Sequence, residues 1–267
     1  MPSTPDPVLE PVLRREERDG IVTLTMNRPA QMNLLTAEML NALESSFKEI
    51  SQNKDIRVVV LAAAGKGFCA GHDLKEIRKQ REQPKVAALF EQCSRMMMSI
   101  QNLPQPVIAK VQGAAAAAGC QLVAQCDLAV AVDTAKFVTS GVNFGFFCST
   151  PGVAIGRNLQ RKHAMEMLLT GEPINAQRAM QWGLVNRVVP VDALDEEVFS
   201  LAKLIASKPP ATVAAGKRGF YLQMDMSLPQ AYAHAGQVIS SDFAHPEGQE
   251  GMNAFIEKRP PDWKKGK

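Results

Sequence analysis

No apolar run in this 267-residue chain approaches the ~18 residues that a membrane-spanning helix needs, which excludes a helical membrane span. Met1 to Val12 is proline-rich and has no apolar core, so it reads as no secretory signal. Arg14-Arg15 gives way at once to Glu16-Glu17, which is not the Arg-rich, acid-poor pattern of an organelle presequence. The five cysteines (Cys69, Cys93, Cys120, Cys126 and Cys148) are odd in number and have no metal-binding spacing. They read as reduced thiols, and no metal is expected. Cys69 and Cys120 read as small buried hydrophobes rather than nucleophiles. A net charge of +3 is too small and too dispersed for a nucleic-acid surface. The basic run at the end, Lys258-Arg259 and Lys264-Lys265-Gly266-Lys267, is either solvated charge or a phosphate contact.

Apolar residues make up 46% and charged residues 21% of the chain, which suits a large soluble α/β core. Ile21 to Met26 alternates as a half-buried strand. Thr36 can cap a helix over residues 37–50, whose stripe is Met39, Leu40, Leu43, Phe47 and Ile50. Val58 to Ala63 and Val107 to Val111 are continuous apolar strands, expected to be buried on both faces. A charged segment, Lys75 to Lys85, separates a helix start near Asp73 from a helix over 86–101. Ala118 to Cys126 reads as a buried helix. Further strands are expected over 127–132, 136–139 and 185–189, and helices near 157–169 and 176–182, the latter capped by Asn175 and closed by Gly183. Beyond Asp192 the chain reads as wholly helical, broken at Pro209-Pro210 and Pro229. The organisation expected is a flexible extension over 1–17, a core over 18–207 and a helical region over 208–267.

Two segments carry the chemistry. Gly67-Phe68-Cys69-Ala70-Gly71-His72-Asp73-Leu74 is one; Val111-Gln112-Gly113, five alanines (Ala114 to Ala118) and Gly119-Cys120-Gln121-Leu122 is the other. Each sets small residues where a strand gives way to a turn or helix, which lets bare backbone N–H groups face a ligand oxygen. Tight turns alone are the other reading of these glycines.

These residues resemble the crotonase, or enoyl-CoA hydratase/isomerase, family. Asn27-Arg28-Pro29 with Asn33 and Leu35 is similar to its N-R-P-x-x-x-N-x-L opening, and Phe68 to Leu74 to its F-x-A-G-x-D-L loop. Pro106 to Gly113 is similar to P-V-I-A-x-V-x-G, Thr170-Gly171 with Gly183-Leu184-Val185 to T-G…G-L-V, and Glu250 to Arg259 to E-G-x-x-A-F-x-E-K-R. Five motifs in order cover about residues 18–262. The resemblance implies an α/β fold, a spiral of ββα turns with a helical C-terminal trimerisation region. It also implies a homotrimer or dimer of trimers, and an acyl-CoA ligand whose CoA moiety is not tightly held as a resident cofactor. It further implies a mitochondrial location in lipid metabolism, with any transit segment absent from the sequence read here.

Carried over residue by residue, the oxyanion hole belongs to the N–H groups of His72 and Ala118. The CoA contacts fall on Lys66, Ala70, His72, Asp73 and Leu74, with Phe255 and Lys258 reaching in from the C-terminal helix, of a neighbouring subunit or of the same one. The His72 side chain is a further candidate, and Asp73 reads as a helix-stabilising residue rather than a catalytic one. The family's acids fall on Gln121, Gly141 and Ser149, none of which is a carboxylate. An amide can hold water but cannot take its proton. Thr139, Ser140, Asn143, Cys148 and Thr150 nearby are polar but weakly basic, and Glu76, Glu82 or Glu91 could supply an acid from the segment after the loop. Three readings follow: an acyl-CoA-binding homologue, a pseudoenzyme without hydratase activity; an acyl-CoA enzyme of another type, decarboxylase- or isomerase-like, using the hole alone; or a structural subunit that binds no CoA.

Overall fold

A computed structural model describes residues 10–79 and 82–263. Residues 1–9 of the expected extension, Gln80 and Arg81 of the charged segment, and the basic run Lys264 to Lys267 lie outside the described residues.

The chain enters through a hairpin, β1 (Leu13–Arg18) and β2 (Ile21–Met26). Asp19 and Gly20 both have positive φ, 55° and 75°, the two-residue turn that matches the twist of antiparallel strands. This corrects the expectation for residues 13–17, assigned to a flexible extension: they pair with β2 along its full length. β1 is Leu-Arg-Arg-Glu-Glu-Arg, almost wholly exposed, and charge of that kind is what an edge strand tolerates.

Next come α1 (Ala37–Gln52), β3 (Val58–Ala63), α2 (Leu74–Lys79), α3 (Gln83–Asn102), β4 (Val107–Val111), β5 (Ala115–Ala116), α4 (Ala118–Gln125), β6 (Leu128–Val132) and β7 (Lys136–Val138). Then follow α5 (Ser149–Asn158), α6 (Arg161–Thr170), β8 (Ile174–Asn175), α7 (Ala176–Trp182), β9 (Arg187–Val189), α8 (Leu194–Ala206), α9 (Pro210–Gln223), α10 (Leu228–Ala244) and α11 (Pro246–Ile256). The larger sheet runs β1-β2-β3-β4-β6-β9 and is parallel from β2 onward. All six residues of β3 are buried, as a parallel strand covered on both faces requires. The stripe expected on α1 is its buried face, and Thr36 Oγ1 accepts from the Met39 N–H at 3.2 Å.

A smaller sheet, β5-β7-β8, stands apart from the first and leads into α4. Where one helix is expected near 157–169 there are two, α5 and α6. Pro151 lies in the first turn of α5, where a missing N–H costs nothing, so the Ser-Thr-Pro-Gly run that looks like a loop is helical. The strand expected over 185–189 is shorter, Arg187–Val189. Pro210 and Pro229 open α9 and α10 from their first turns. Among the described residues no helix is long and apolar enough to cross a membrane.

Candidate active site

The two small-residue segments fold against each other. Cys69 and Ala115 form a parallel bridge, the Ala114 carbonyl accepts from the Phe68 N–H (2.9 Å), and the Cys69 carbonyl accepts from the Ala116 N–H (2.8 Å). Gly119 seals the junction: a Cβ there would lie 2.1 Å from the Cys69 carbonyl oxygen, so no larger residue lets α4 sit this close. A Cβ built on Gly71 would fall 3.2 Å from the Ala118 nitrogen, which brings the backbone beside His72 to the start of α4.

Ala117 aims that helix. It sits at φ 49° and ψ −116°, a conformation L-residues rarely take, and its N–H donates to the Val138 carbonyl at 2.8 Å. Such an outlier costs about 1–3 kcal/mol and persists only where its surroundings enforce it. Here β7 holds Ala117, and Ala118 becomes the first helical residue. Among the described residues no backbone or side-chain acceptor takes the N–H of His72 or of Ala118. The Ala118 donor stands at the positive end of α4, and the His72 donor belongs to the loop that packs against that end.

The loop carrying the first donor is held from beneath. The Gly67 carbonyl accepts from both Asn33 Nδ2 (3.1 Å) and Gln112 Nε2 (2.9 Å), and Gln112 also donates to the Ala63 and Gly65 carbonyls. Lys66 is thereby presented on an exposed turn, Ala70 is half-buried and Leu74 is half-exposed. Asp73 caps α2, its Oδ1 accepting from the Lys75 N–H at 2.8 Å, which is the stabilising role expected of it. His72 Nδ1 lies 3.2 Å from the Leu35 carbonyl, so the neutral ring carries its proton there and Nε2 is the acceptor. Burial holds its pKa below the ordinary histidine value, against the opposing pull of the Leu35 carbonyl. The ring meets Phe90 edge-on at 5.0 Å, and Nε2 is buried without a partner.

Of the three positions without a carboxylate, Gln121 stands one turn along α4 from Ala118, 5% exposed, with Oε1 buried and unpartnered. Gly141 lies three residues beyond the end of β7, and the space a side chain would take there is filled. A Cβ would stand 2.7 Å from the Phe146 carbonyl oxygen and 2.8 Å from Cys148 Sγ. Ser149 begins α5, and its hydroxyl donates to the Phe147 carbonyl at 3.4 Å. The other polar groups maintain turns: Thr139 donates to the Met167 carbonyl (2.7 Å), Asn143 to the Gly171 carbonyl (3.3 Å), and Cys148 Sγ accepts from the Gly141 N–H (3.3 Å). Burial pushes the Cys69 and Cys120 thiols up to about 12, so neither is a thiolate nucleophile near neutral pH. Phe255 and Lys258 lie at the exposed end of α11, which packs on α9 and α10. Among the described residues no hydrogen bond or ion pair joins them to the 66–74 loop.

Sequence reasoning passed over Ala117 and the carbonyl clamp of Asn33 and Gln112. The alanine run hides which alanine is strained. The clamp residues were legible as motif letters but not as a shared grip on one carbonyl.

The chain is an α/β protein whose two small-residue segments meet at the start of α4. The enoyl-CoA hydratase/isomerase family matches residues 16–266, and the chain belongs to that family. It is 46% identical to mouse mitochondrial enoyl-CoA hydratase domain-containing protein 3 over 92% of this chain and 82% of the relative. The crystal structure of the human protein of that name superposes with a TM-score of 0.92 at 45% identity, covering 94% of this chain and all of that one. A Mycobacterium smegmatis enoyl-CoA hydratase structure superposes at 0.94 with 50% identity, covering 95% and 99%. The fold is the crotonase fold.

Proposed function

We propose that this chain binds acyl-CoA thioesters through an oxyanion hole made by the His72 and Ala118 N–H groups, and that it does not hydrate enoyl-CoA. The observation that carries the reading is the pair of unclaimed N–H groups beside each other, enforced by the strained Ala117. A thioester carbonyl accepts from both, and each donor of this kind contributes about 3 kcal/mol when charge develops on oxygen. The CoA moiety is assigned to Lys66, Ala70, His72, Asp73 and Leu74, with Phe255 and Lys258 supplied by a neighbouring subunit. That assignment is supported by the exposure of Lys66, and by Phe255 and Lys258 having no bond to the loop within one chain. A homotrimer, alone or paired into a hexamer, is part of the reading. Phe220, Leu228, Tyr232, Ile239 and Phe243 of the α9–α10 region and its boundary lie exposed on a single chain, an apolar surface that assembly would cover. The mitochondrial location carried in the name of the mouse relative supports a mitochondrial setting.

Hydration is set aside because Gln121 cannot ionise and the room beside Gly141 is filled by Cys148 and Phe146. The test is titration calorimetry with butyryl-CoA, alongside a crotonyl-CoA hydration assay. Binding without hydration is expected. Turnover at a rate ordinary for hydratases overturns the second half of the reading; no heat at millimolar ligand overturns the first and leaves a structural subunit. The second reading, an acyl-CoA enzyme of another reaction type, is favoured by one observation, a buried and unpartnered carboxylate oxygen on α2.

A further inference from the structure

We propose that Glu76 is the proton-transferring residue of this site, acting on the acyl Cα from the α2 side. The proposal rests on the acyl-CoA reading above and deepens it.

Three carboxylates follow the loop, and the structure separates them. Glu82 is exposed and pairs with Lys85 at 3.1 Å; Glu91 is exposed on α3. Glu76 turns inward. On α2, Leu74, Lys75, Arg78 and Lys79 are exposed, whereas Glu76 and Ile77 are half-buried. Its Oε2 is buried and has no partner among the described residues.

An ordinary role is available to this residue, and the structure does not use it. Asp73 caps α2, and a glutamate three residues later commonly folds its carboxylate back onto the cap residue's N–H. The buried Oε2 makes no such bond. A second buried acceptor, His72 Nε2, is also without a partner, on the residue whose N–H faces the ligand oxygen. Glu76 is the third residue after the cap Asp73, and His72 is the residue just before that cap, so both acceptors lie at the entry to α2. Buried acceptors without a donor are rare in folded chains, and these two stand on either side of the cap of α2.

The step balances without a co-reactant. The Cα–H bond of the bound thioester breaks and its proton forms an O–H bond on Glu76. The electron pair moves into the thioester, leaving an enolate oxygen held by the His72 and Ala118 N–H groups. Return of the proton from Glu76 to Cα reverses the change.

Incubating the full chain with butyryl-CoA in deuterated water, and following α-hydrogen exchange by mass spectrometry, tests the proposal. Calorimetry of butyryl-CoA binding runs in parallel. Wild type is expected to accelerate exchange over buffer. Glu76→Gln is expected to lose it by about 100-fold or more, in line with general acid–base contributions, while its Kd stays within threefold. Glu76→Asp is expected to recover part of the rate, and Glu82→Gln to match wild type. Wild type that binds butyryl-CoA without exchanging it, or Glu76→Gln that exchanges like wild type, overturns the proposal. Absence of binding overturns it together with the acyl-CoA reading, and the calorimetric arm tells the two failures apart.

Discussion

Lys217 Nζ lies 2.7 Å from Asp127 Oδ2, with the two side chains only 7% and 14% exposed. The same ammonium donates to the Ile100 and Gln105 carbonyls at 3.0 Å each, and Tyr221 donates to the other carboxylate oxygen at 2.8 Å. Asp127 precedes β6 and also accepts from the Val107 N–H at the start of β4 (2.7 Å). One buried carboxylate therefore ties α9, and through it the C-terminal helices, to the sheet. Burial lowers the Lys217 pKa and the Asp127 charge opposes that shift.

Lys217→Met leaves Asp127 buried without its cation. Removing one partner of such a pair costs about 3–5 kcal/mol. Urea unfolding of the variant is expected to shift by that amount, because α9 loses its buried tie to the sheet. A change under about 1 kcal/mol would mean that the carbonyl and tyrosine bonds hold α9 without the charge pair.

Ala117 reports on strain. Ala117→Gly removes the Cβ from a backbone at φ 49° and is expected to raise stability by up to about 1 kcal/mol, the relief being partly offset by the flexibility of glycine in the unfolded chain. Ala117→Val is expected to lose about 2 kcal/mol or more, since a β-branched residue is a true outlier there. Thermal melts of the two variants, moving in opposite directions, check this.

Placing acids at positions 121 and 141 is not expected to create a hydratase. Gln121→Glu is expected to fold and to leave crotonyl-CoA unhydrated. Gly141→Glu places its Cβ within 2.8 Å of Cys148 Sγ and the Phe146 carbonyl, and is expected to cost about 1–3 kcal/mol through overpacking. Loss of enoyl-thioester absorbance in either variant at a rate ordinary for hydratases would contradict this.

His72 contributes to the pH dependence of stability. Its folded pKa is below the unfolded value of about 6.5, so the unfolded chain takes the proton first. The contribution is complete above about pH 6.5 and is lost as pH falls through the folded pKa, at up to about 1.4 kcal/mol per pH unit. Urea midpoints between pH 7.5 and 5 should show a fall that His72→Asn reduces. An unchanged slope in that variant assigns the fall to other groups.

The core was legible wherever burial imposed a period. The α1 stripe, the continuous β3 run and the Asn175–Gly183 bounds of α7 follow from periodicity and caps. β1 was obscured because its edge position admits charge on both faces, so no alternation marks it, although Asp19-Gly20 carried a hairpin signal. α5 was obscured because Pro151 and Gly152 look like punctuation when they fall in a first turn. Within the site, the small-residue segments announced themselves, since close backbone approach demands small side chains. The inward turn of Glu76 did not, because a six-residue helix is too short to display a period.

The paired donors at His72 and Ala118 belong to the main chain, so any residue other than proline would supply them. Substitutions at Gln121, Gly141 or Ser149 leave both N–H groups in place, and replacing the donors' own side chains does too. What could erase them is a change at Gly119 or at the Ala117 turn, which alters the path of the backbone. On the proposed reading, recognition of a carbonyl is thus inherited with the fold, and chemistry is free to drift around it: a lineage can discard one reaction and acquire another while keeping its ligand throughout.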